Sequence, residues 1–161
     1  MVTEVRGRSG LPSMDARSLT PPVTTFCGHR AQKLAANGSV SRVRGLFLFD
    51  MIGDKELNVA RETGSSSSLQ VFIAQAAERL GYARYFFKYD AKIIDDHVSF
   101  IKVGVPAVDV VDAEYGRMGV GFDSIGEFHH TNADTMDKVS QRSLEIVRTI
   151  LLTVELLDEQ D

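Results

Sequence analysis

The chain is poor in cysteine, has few prolines outside its first residues, and contains no long apolar run. A single cysteine, Cys27, among 161 residues excludes a disulfide scaffold and every zinc site built on paired cysteines, so any metal here is held by His, Asp and Glu. Cys27 and His29 lie two positions apart in a helical pattern, on different faces, and Cys27 reads as a packing residue. No stretch approaches the roughly 18 apolar residues of a membrane span; the longest, Leu46 to Phe49 and Thr149 to Leu157, are short or interrupted. No apolar segment follows Arg6 and Arg8, so the N-terminus does not read as a secretory signal peptide, and the chain as it stands is expected in the cytoplasm. Charge of one sign is lacking too: 18 basic residues face 22 acidic ones, which offers no general attraction to nucleic acid or to an anionic membrane. Three catalytic templates are missing as well, the His-Glu-x-x-His helix, the phosphate loop ending in Gly-Lys-Ser/Thr, and the Gly-x-Ser-x-Gly elbow.

What is present is an ordinary globular composition, 43% hydrophobic and 25% charged, in a chain long enough for one domain to bury roughly 70% of its unfolded surface. Three of the four prolines (Pro12, Pro21, Pro22) fall in the first 22 residues, which carry no apolar period and read as a disordered leader, residues 1–24. Thr25 to Asn37 reads as a helix closed by Gly38. Leu46 to Phe49 forms an unbroken apolar run ending at Asp50, the pattern of a strand buried on both faces. Ser65 to Ser68 offer N-caps to a helix with Leu69, Phe72, Ile73, Ala76, Ala77 and Leu80 on one face, closed by Gly81. Tyr85 to Tyr89 reads as a short strand, and Asp95 or Asp96 can cap a brief helix running to Val103, before Gly104. Val105 to Val111 is a second apolar run, stopping at Asp112. The stretch from Ala113 to Glu127, with Gly116, Gly119, Gly121 and Gly126, is long for a plain connection and suits a role at a site. Ser140 can cap a last helix with Leu144, Val147, Leu151, Val154 and Leu157 as its apolar face. The alternation of strand and helix predicts an α/β layer structure with helices covering a mainly parallel sheet.

In such sheets functional groups gather at the carboxyl ends of the strands. Asp50, the pair Asp95 and Asp96 before His97, Asp112, and the adjacent His129 and His130 all fall at such places. Carboxylates and imidazoles converging on one edge are what a borderline cation needs. Each has a plainer reading. An Asp after a strand is also the ordinary turn former, Asp95 or Asp96 caps a helix, and His97 on a short helix reads more readily as a packed or exposed side chain than as a ligand. Asp50 stands apart, because a charge placed directly after four large apolar residues needs a partner. In an extended loop His129 and His130 point to opposite sides, so at most one of them faces the site.

Three segments, LFLFDMIGD (Leu46 to Asp54), DDHVSFIKVGVPAVDVVDAEY (Asp95 to Tyr115) and HHTNADTMDKVS (His129 to Ser140), together resemble the C-terminal half of metallopeptidase family 28, from about Thr25 to the end of the chain. That family holds zinc-dependent aminopeptidases and, on the same fold, glutaminyl-peptide cyclotransferases. The resemblance implies part of a three-layer α/β/α sandwich with a mainly parallel, mixed sheet, over residues 25–161. It implies Asp50 as a ligand of one zinc in the two-zinc aminopeptidases, or as a member of the proton-shuttling network in the cyclotransferases. It implies His130 as a ligand of the other zinc, Asp95 and Asp96 as outer carboxylates that orient ligands and tune protons, and Asp112 and Tyr115 near the substrate pocket. The implied reaction is removal of N-terminal residues from a peptide substrate, with N-terminal glutamine cyclisation as the alternative; VDVVDAEY looks closer to the peptidase branch.

The family's site also takes an upstream histidine, a metal-bridging aspartate and a Glu-Glu pair. Residues 1–24 offer only Glu4 and Asp15 and no histidine. Two zinc ligands without a base fall short of the roughly three ligands and positioned base that metal-assisted hydrolysis takes, so the chain alone is expected to show little or no activity. A non-catalytic remnant or interaction module is the remaining alternative, and a sheet cut in half is expected to self-associate through an apolar edge.

Overall fold

The computed structural model describes residues 26–117 and 126–158. The leader at 1–24 and the middle of the glycine-bearing stretch lie outside them. Four helices and four strands follow in the order α1 (Phe26–Ala36), β1 (Leu46–Asp50), β2 (Val59–Glu62), α2 (Ser67–Arg79), β3 (Phe86–Ala91), α3 (Asp96–Ile101), β4 (Ala107–Val111) and α4 (Gln141–Asp158). β1 pairs with β4 and β2 with β3, both in parallel, and β2 packs beside β4. The parallel α/β arrangement expected from the alternation of elements is the one observed.

The strands are sorted by alternation. In β4, Val108 and Val110 face a core built with Leu69, Ile73, Ala76 and Ala77 of α2 and Ile146, Val147, Ile150 and Val154 of α4. Ala107 belongs to a second core, with Ala31 of α1 and Phe100 of α3. Successive side chains of a strand point to opposite faces, so α2 and α4 cover one face of β4 while α1 and α3 cover the other. This is a three-layer arrangement, and every residue of β4 is buried.

Several local features match the sequence reading. Gly38 closes α1 at φ 70°, with the Ser39 N–H returning to the Leu34 carbonyl, the left-handed stop that glycine adopts without strain. The four buried residues of α2, Leu69, Ile73, Ala76 and Ala77, lie on the face read from the sequence. Other features differ. β1 is half-buried rather than enclosed, and Phe49 is 37% exposed, because among the described residues β1 has a ladder partner on one side only. β3 starts one residue later than expected; Tyr85 closes a 3₁₀ turn. α3 ends at Ile101 rather than Val103. In α4 the buried stripe is Ser143, Ile146, Val147, Ile150 and Val154, while Leu144 is 42% exposed. The helix is rotated from the expected face because Ser143 turns inward to donate to the Asp54 carbonyl at 2.6 Å.

β2 is the element with no counterpart in the sequence reading. Its four residues are too few to display a period, and its buried positions include a glutamate, Glu62. β3 is irregular beside it. The register shifts between Val59 and Arg61, where Phe87 adopts φ 59°, the extra residues of a β-bulge.

Candidate active site

β1 and β4 run parallel, so their carboxyl ends share one edge: Asp50 ends β1 and Asp112 follows β4. β2 lies beside β4 in the opposite direction, with Asn58 before it donating to Asp112 and Ser66 after it donating to the Ala107 carbonyl. Glu62 therefore ends β2 level with Asp109 inside β4. Asp95, after β3, caps α3, its carboxylate accepting the Asp96 N–H. The loop carrying His129 and His130 is tied to the same edge from two sides. On one side, the Ser140 N–H donates to the Gly53 carbonyl at 2.7 Å and Asp54 forms a bridge with Val139. On the other, the Tyr115 hydroxyl donates to Asp134. The three segments that carry the sequence resemblance therefore meet.

Asp50 is half-buried. Burial pushes its carboxyl above the ordinary range, the nearby Asp95 adds to this, and His129, the Met51 N–H and His130 pull it back down. Asp95, His129 and His130 thus lie within electrostatic reach of Asp50. The two histidines do not diverge as an extended loop would make them. His130 takes φ 55°, and the two rings stack at 3.7 Å between centroids and 26° between planes. The left-handed residue turns the chain so that both imidazoles bear on Asp50.

Asp112 is fully buried, and both its oxygens are occupied. Oδ2 accepts the Asn58 N–H at 2.9 Å and Oδ1 the Glu114 N–H at 3.2 Å. It knits the exit of β4 to the approach to β2. Burial still outweighs those two bonds and raises its carboxyl to about 7. Tyr115 is 7% exposed and packs edge-on against Phe128 at 5.4 Å; burial and the adjoining Asp134 raise its hydroxyl. The described ends of the glycine-bearing stretch close on each other here, through the Phe128 N–H to the Tyr115 carbonyl and a bidentate Arg117–Glu127 pair at 2.8 and 2.9 Å.

Beneath this surface lies a cluster that sequence reasoning missed. Glu62, His97 and Asp109 are each 0% exposed. His97 Nε2 stands 3.2 Å from Glu62 Oε2, and His97 Nδ1 stands 3.7 Å from Asp109 Oδ2. Ser65 joins them, donating to Glu62 Oε2 at 2.8 Å and accepting the Asp109 N–H at 3.0 Å. The serine run before α2 thus does more than start a helix. Burial pushes Glu62 up, but the Gly64 N–H, the Ser65 hydroxyl, the Ile93 N–H and His97 outweigh it and hold the carboxyl below its ordinary value. Asp109 has no such donors. Burial raises it to about 7, with Asp50, Asp95 and Glu62 adding to the effect. The available signal was a charge inside an otherwise apolar run, Val105 to Val111, the same anomaly that singled out Asp50.

The profile of peptidase family M28 matches residues 28–154. The chain belongs to peptidase family M28. No curated protein matches its sequence, but solved structures of the family's fold do. A glutaminyl cyclase from an Acidobacteriales bacterium is 36% identical, with a TM-score of 0.76, over 84% of this chain and 46% of that one. The Porphyromonas gingivalis glutaminyl cyclase is 27% identical, with a TM-score of 0.61, over 81% of this chain and 48% of that one. A Zn-dependent exopeptidase from Parabacteroides distasonis is 26% identical, with a TM-score of 0.61, over 77% and 44%. The chain therefore spans about half the length of the M28 structures it matches, and the fold it shares with them is partial.

The Parabacteroides exopeptidase is zinc-dependent, and a catalytic zinc takes about three protein ligands. Among the described residues no group of three or more His, Cys, Asp or Glu is arranged to hold a metal ion. His130 lies within electrostatic reach of Asp50, but the two do not by themselves make such a site. Among the described residues no helix is long and apolar enough to cross a membrane.

Proposed function

We propose that this chain carries the proton-handling part of a glutaminyl-cyclase-type site, where the α-amine of an N-terminal glutamine attacks its own side-chain amide and ammonia leaves. The observation that carries this reading is the match to the Acidobacteriales glutaminyl cyclase, 36% identical at a TM-score of 0.76, against 26% and 0.61 for the Parabacteroides exopeptidase. Cyclisation consumes no water. It moves one proton from the attacking amine to the departing nitrogen, and a positioned carboxylate with a raised affinity for protons performs that transfer.

Asp50 has that character, raised by burial and by Asp95. Asp95 and Asp96, at the head of α3, are the outer carboxylates that keep a second negative charge beside it. In this reading His130 is the donor this chain offers to a zinc, and Asp50 would become a donor, to a second zinc, only in the peptidase reading. Tyr115, held by Asp134, forms part of the substrate wall, and Asp112 shapes that wall from behind, since both its oxygens already accept backbone N–H groups. Hydrolysis of an N-terminal residue is the second reading, favoured by the exopeptidase match.

A glutamine-initiated peptide incubated with the full chain and zinc distinguishes the two by mass spectrometry. Turnover is expected to be slow, because the described residues bring together fewer than three zinc donors, so the product decides and not the rate. Loss of ammonia with the peptide otherwise intact supports cyclisation. Free glutamine as the main product overturns it in favour of the peptidase, and an unchanged peptide overturns both readings for this chain and leaves the non-catalytic module.

A further inference from the structure

The buried cluster of Glu62, His97 and Asp109 is an asymmetric arrangement of donors. Glu62 accepts four hydrogen bonds: from the Gly64 N–H at 2.9 Å and the Ile93 N–H at 3.2 Å on Oε1, and from the Ser65 hydroxyl at 2.8 Å and His97 Nε2 at 3.2 Å on Oε2. Asp109 accepts none. Both of its carboxyl oxygens, and His97 Nδ1, are buried with no hydrogen-bond partner. A buried carboxylate is tolerable where donors surround it and very costly where they do not. The negative charge therefore resides on Glu62, which fixes a proton on His97 Nε2, pointing at Oε2.

This leaves the other ring nitrogen. With the proton on Nε2, a neutral His97 presents the lone pair of Nδ1 to Asp109 Oδ2 across 3.7 Å. Two acceptors cannot face each other in a dry interior without cost, and the gap is too short to admit a bridging water. Proton placement alone resolves the contact. A proton on Asp109 Oδ2 donates to Nδ1 after a closure of less than about an ångström. The alternative, an imidazolium between two carboxylates, would leave Asp109 as an anion with one unpaired oxygen. It would also place that anion within the field of Asp50, at the end of β1, Asp95, at the head of α3, and Glu62, on β2, which already push Asp109 toward its neutral form.

We propose that His97 is a positioning residue that holds Asp109 as a neutral acid: its Nε2–H donates a hydrogen bond to the Glu62 carboxylate and its Nδ1 accepts a hydrogen bond from the Asp109 carboxyl, so that Asp50 faces one buried negative charge fewer. The placement of the protons rests on the cluster itself; only its use, keeping Asp50 fit to exchange a proton, rests on the cyclisation reading above. No atom of the cluster reaches solvent, so substrate does not touch it. His97 acts through Asp109, and Asp109 through the negative charge it is kept from carrying.

The test is ¹⁵N nuclear magnetic resonance of the full chain labelled at histidine, in metal-free buffer at about pH 6, above the ordinary carboxylate range. His97 is expected to show one protonated nitrogen, Nε2, and one hydrogen-bonded bare nitrogen, Nδ1. Asp109→Asn, which keeps the shape and still offers a donor toward Nδ1, is expected to leave that pattern essentially unchanged. Two protonated nitrogens in the parent protein that collapse to one in Asp109→Asn would show an ion pair and overturn the proposal. A proton on Nδ1 with a bare Nε2 overturns it as well. The readout is a ring-nitrogen shift and not turnover, so its failure is separate from failure of the cyclisation reading. Should Asp109→Asn not fold, the pattern in the parent protein still decides between the three states.

Discussion

The Tyr115 hydroxyl donates to the carboxylate of Asp134, joining the exit of β4 to the loop that presents His130. The donor is 7% exposed and the acceptor lies on an exposed stretch, so the bond is anchored at its tyrosine end. Tyr115→Phe keeps the ring against Phe128 and removes only the hydroxyl. It is expected to cost about 1.5–3 kcal/mol, the usual range for a hydrogen bond to a charged group, and to broaden the resonances of His129 and His130. A urea midpoint unchanged from the parent protein would show that the loop is held by Ser140 and Val139 instead.

Gly126 sits at φ 117°, and a Cβ built there would lie 2.2 Å from the Tyr115 carbonyl oxygen. Gly38 also has positive φ, 70°, but a Cβ there meets nothing within 4 Å. Gly38→Ala is expected to cost about 1 kcal/mol, the backbone penalty alone, whereas Gly126→Ala adds a clash with main chain that cannot rotate away. The second substitution is expected to lose roughly 1–3 kcal/mol more and to detach the paired ends of the loop at Tyr115 and Phe128. Equal unfolding midpoints for the two variants would refute this.

Asp109 and Asp112 are both raised to about 7. Between about pH 4 and that value the folded chain holds protons that the unfolded chain has released, so folding is favoured at the acid end. Their contribution is complete below about pH 4 and is lost as pH rises through about 7, at up to about 1.4 kcal/mol per pH unit for each group. Glu62, held low, acts in the opposite sense: its contribution is present above the ordinary carboxylate range and is lost only as pH falls below it. Urea midpoints measured at about pH 5 and about pH 8 should therefore fall with rising pH, and Asp109→Asn should flatten the slope. Parallel slopes for variant and parent would show that Asp109 is already ionised at the lower pH.

Asp50→Asn separates activity from stability. The amide cannot carry a proton between two nitrogens, so turnover is expected to fall by about 100-fold or more. Because burial and Asp95 oppose the charge on Asp50, removing that charge should leave the unfolding midpoint unchanged or slightly higher. A variant with undiminished turnover would place the proton transfer elsewhere.

The sequence revealed those parts of the fold that rest on repetition. The face of α2, the glycine stop after α1 and the alternation of strand and helix all follow from periods that several residues share. Asp50 could be read because a charge after four large apolar side chains is anomalous wherever it occurs. Glu62 could not, since the four residues of β2 are too few to show a pattern, and its donors come from Gly64, Ser65, Ile93 and His97, the last two more than thirty positions away. The stacking of His129 on His130 depends on one left-handed residue, a backbone choice that histidine does not announce.

The order in which the chain can assemble follows from its strand pairing. β2, α2 and β3 are consecutive, so they close on one another through short loops at modest entropic cost. β1 pairs with β4 only after that whole unit has been looped out between them, and pairings of long sequence separation are the slow ones. Asp50 and Asp109 stand on those two strands. Their juxtaposition is thus expected to be the last event of folding and, by the same route, the first to be lost when the chain opens.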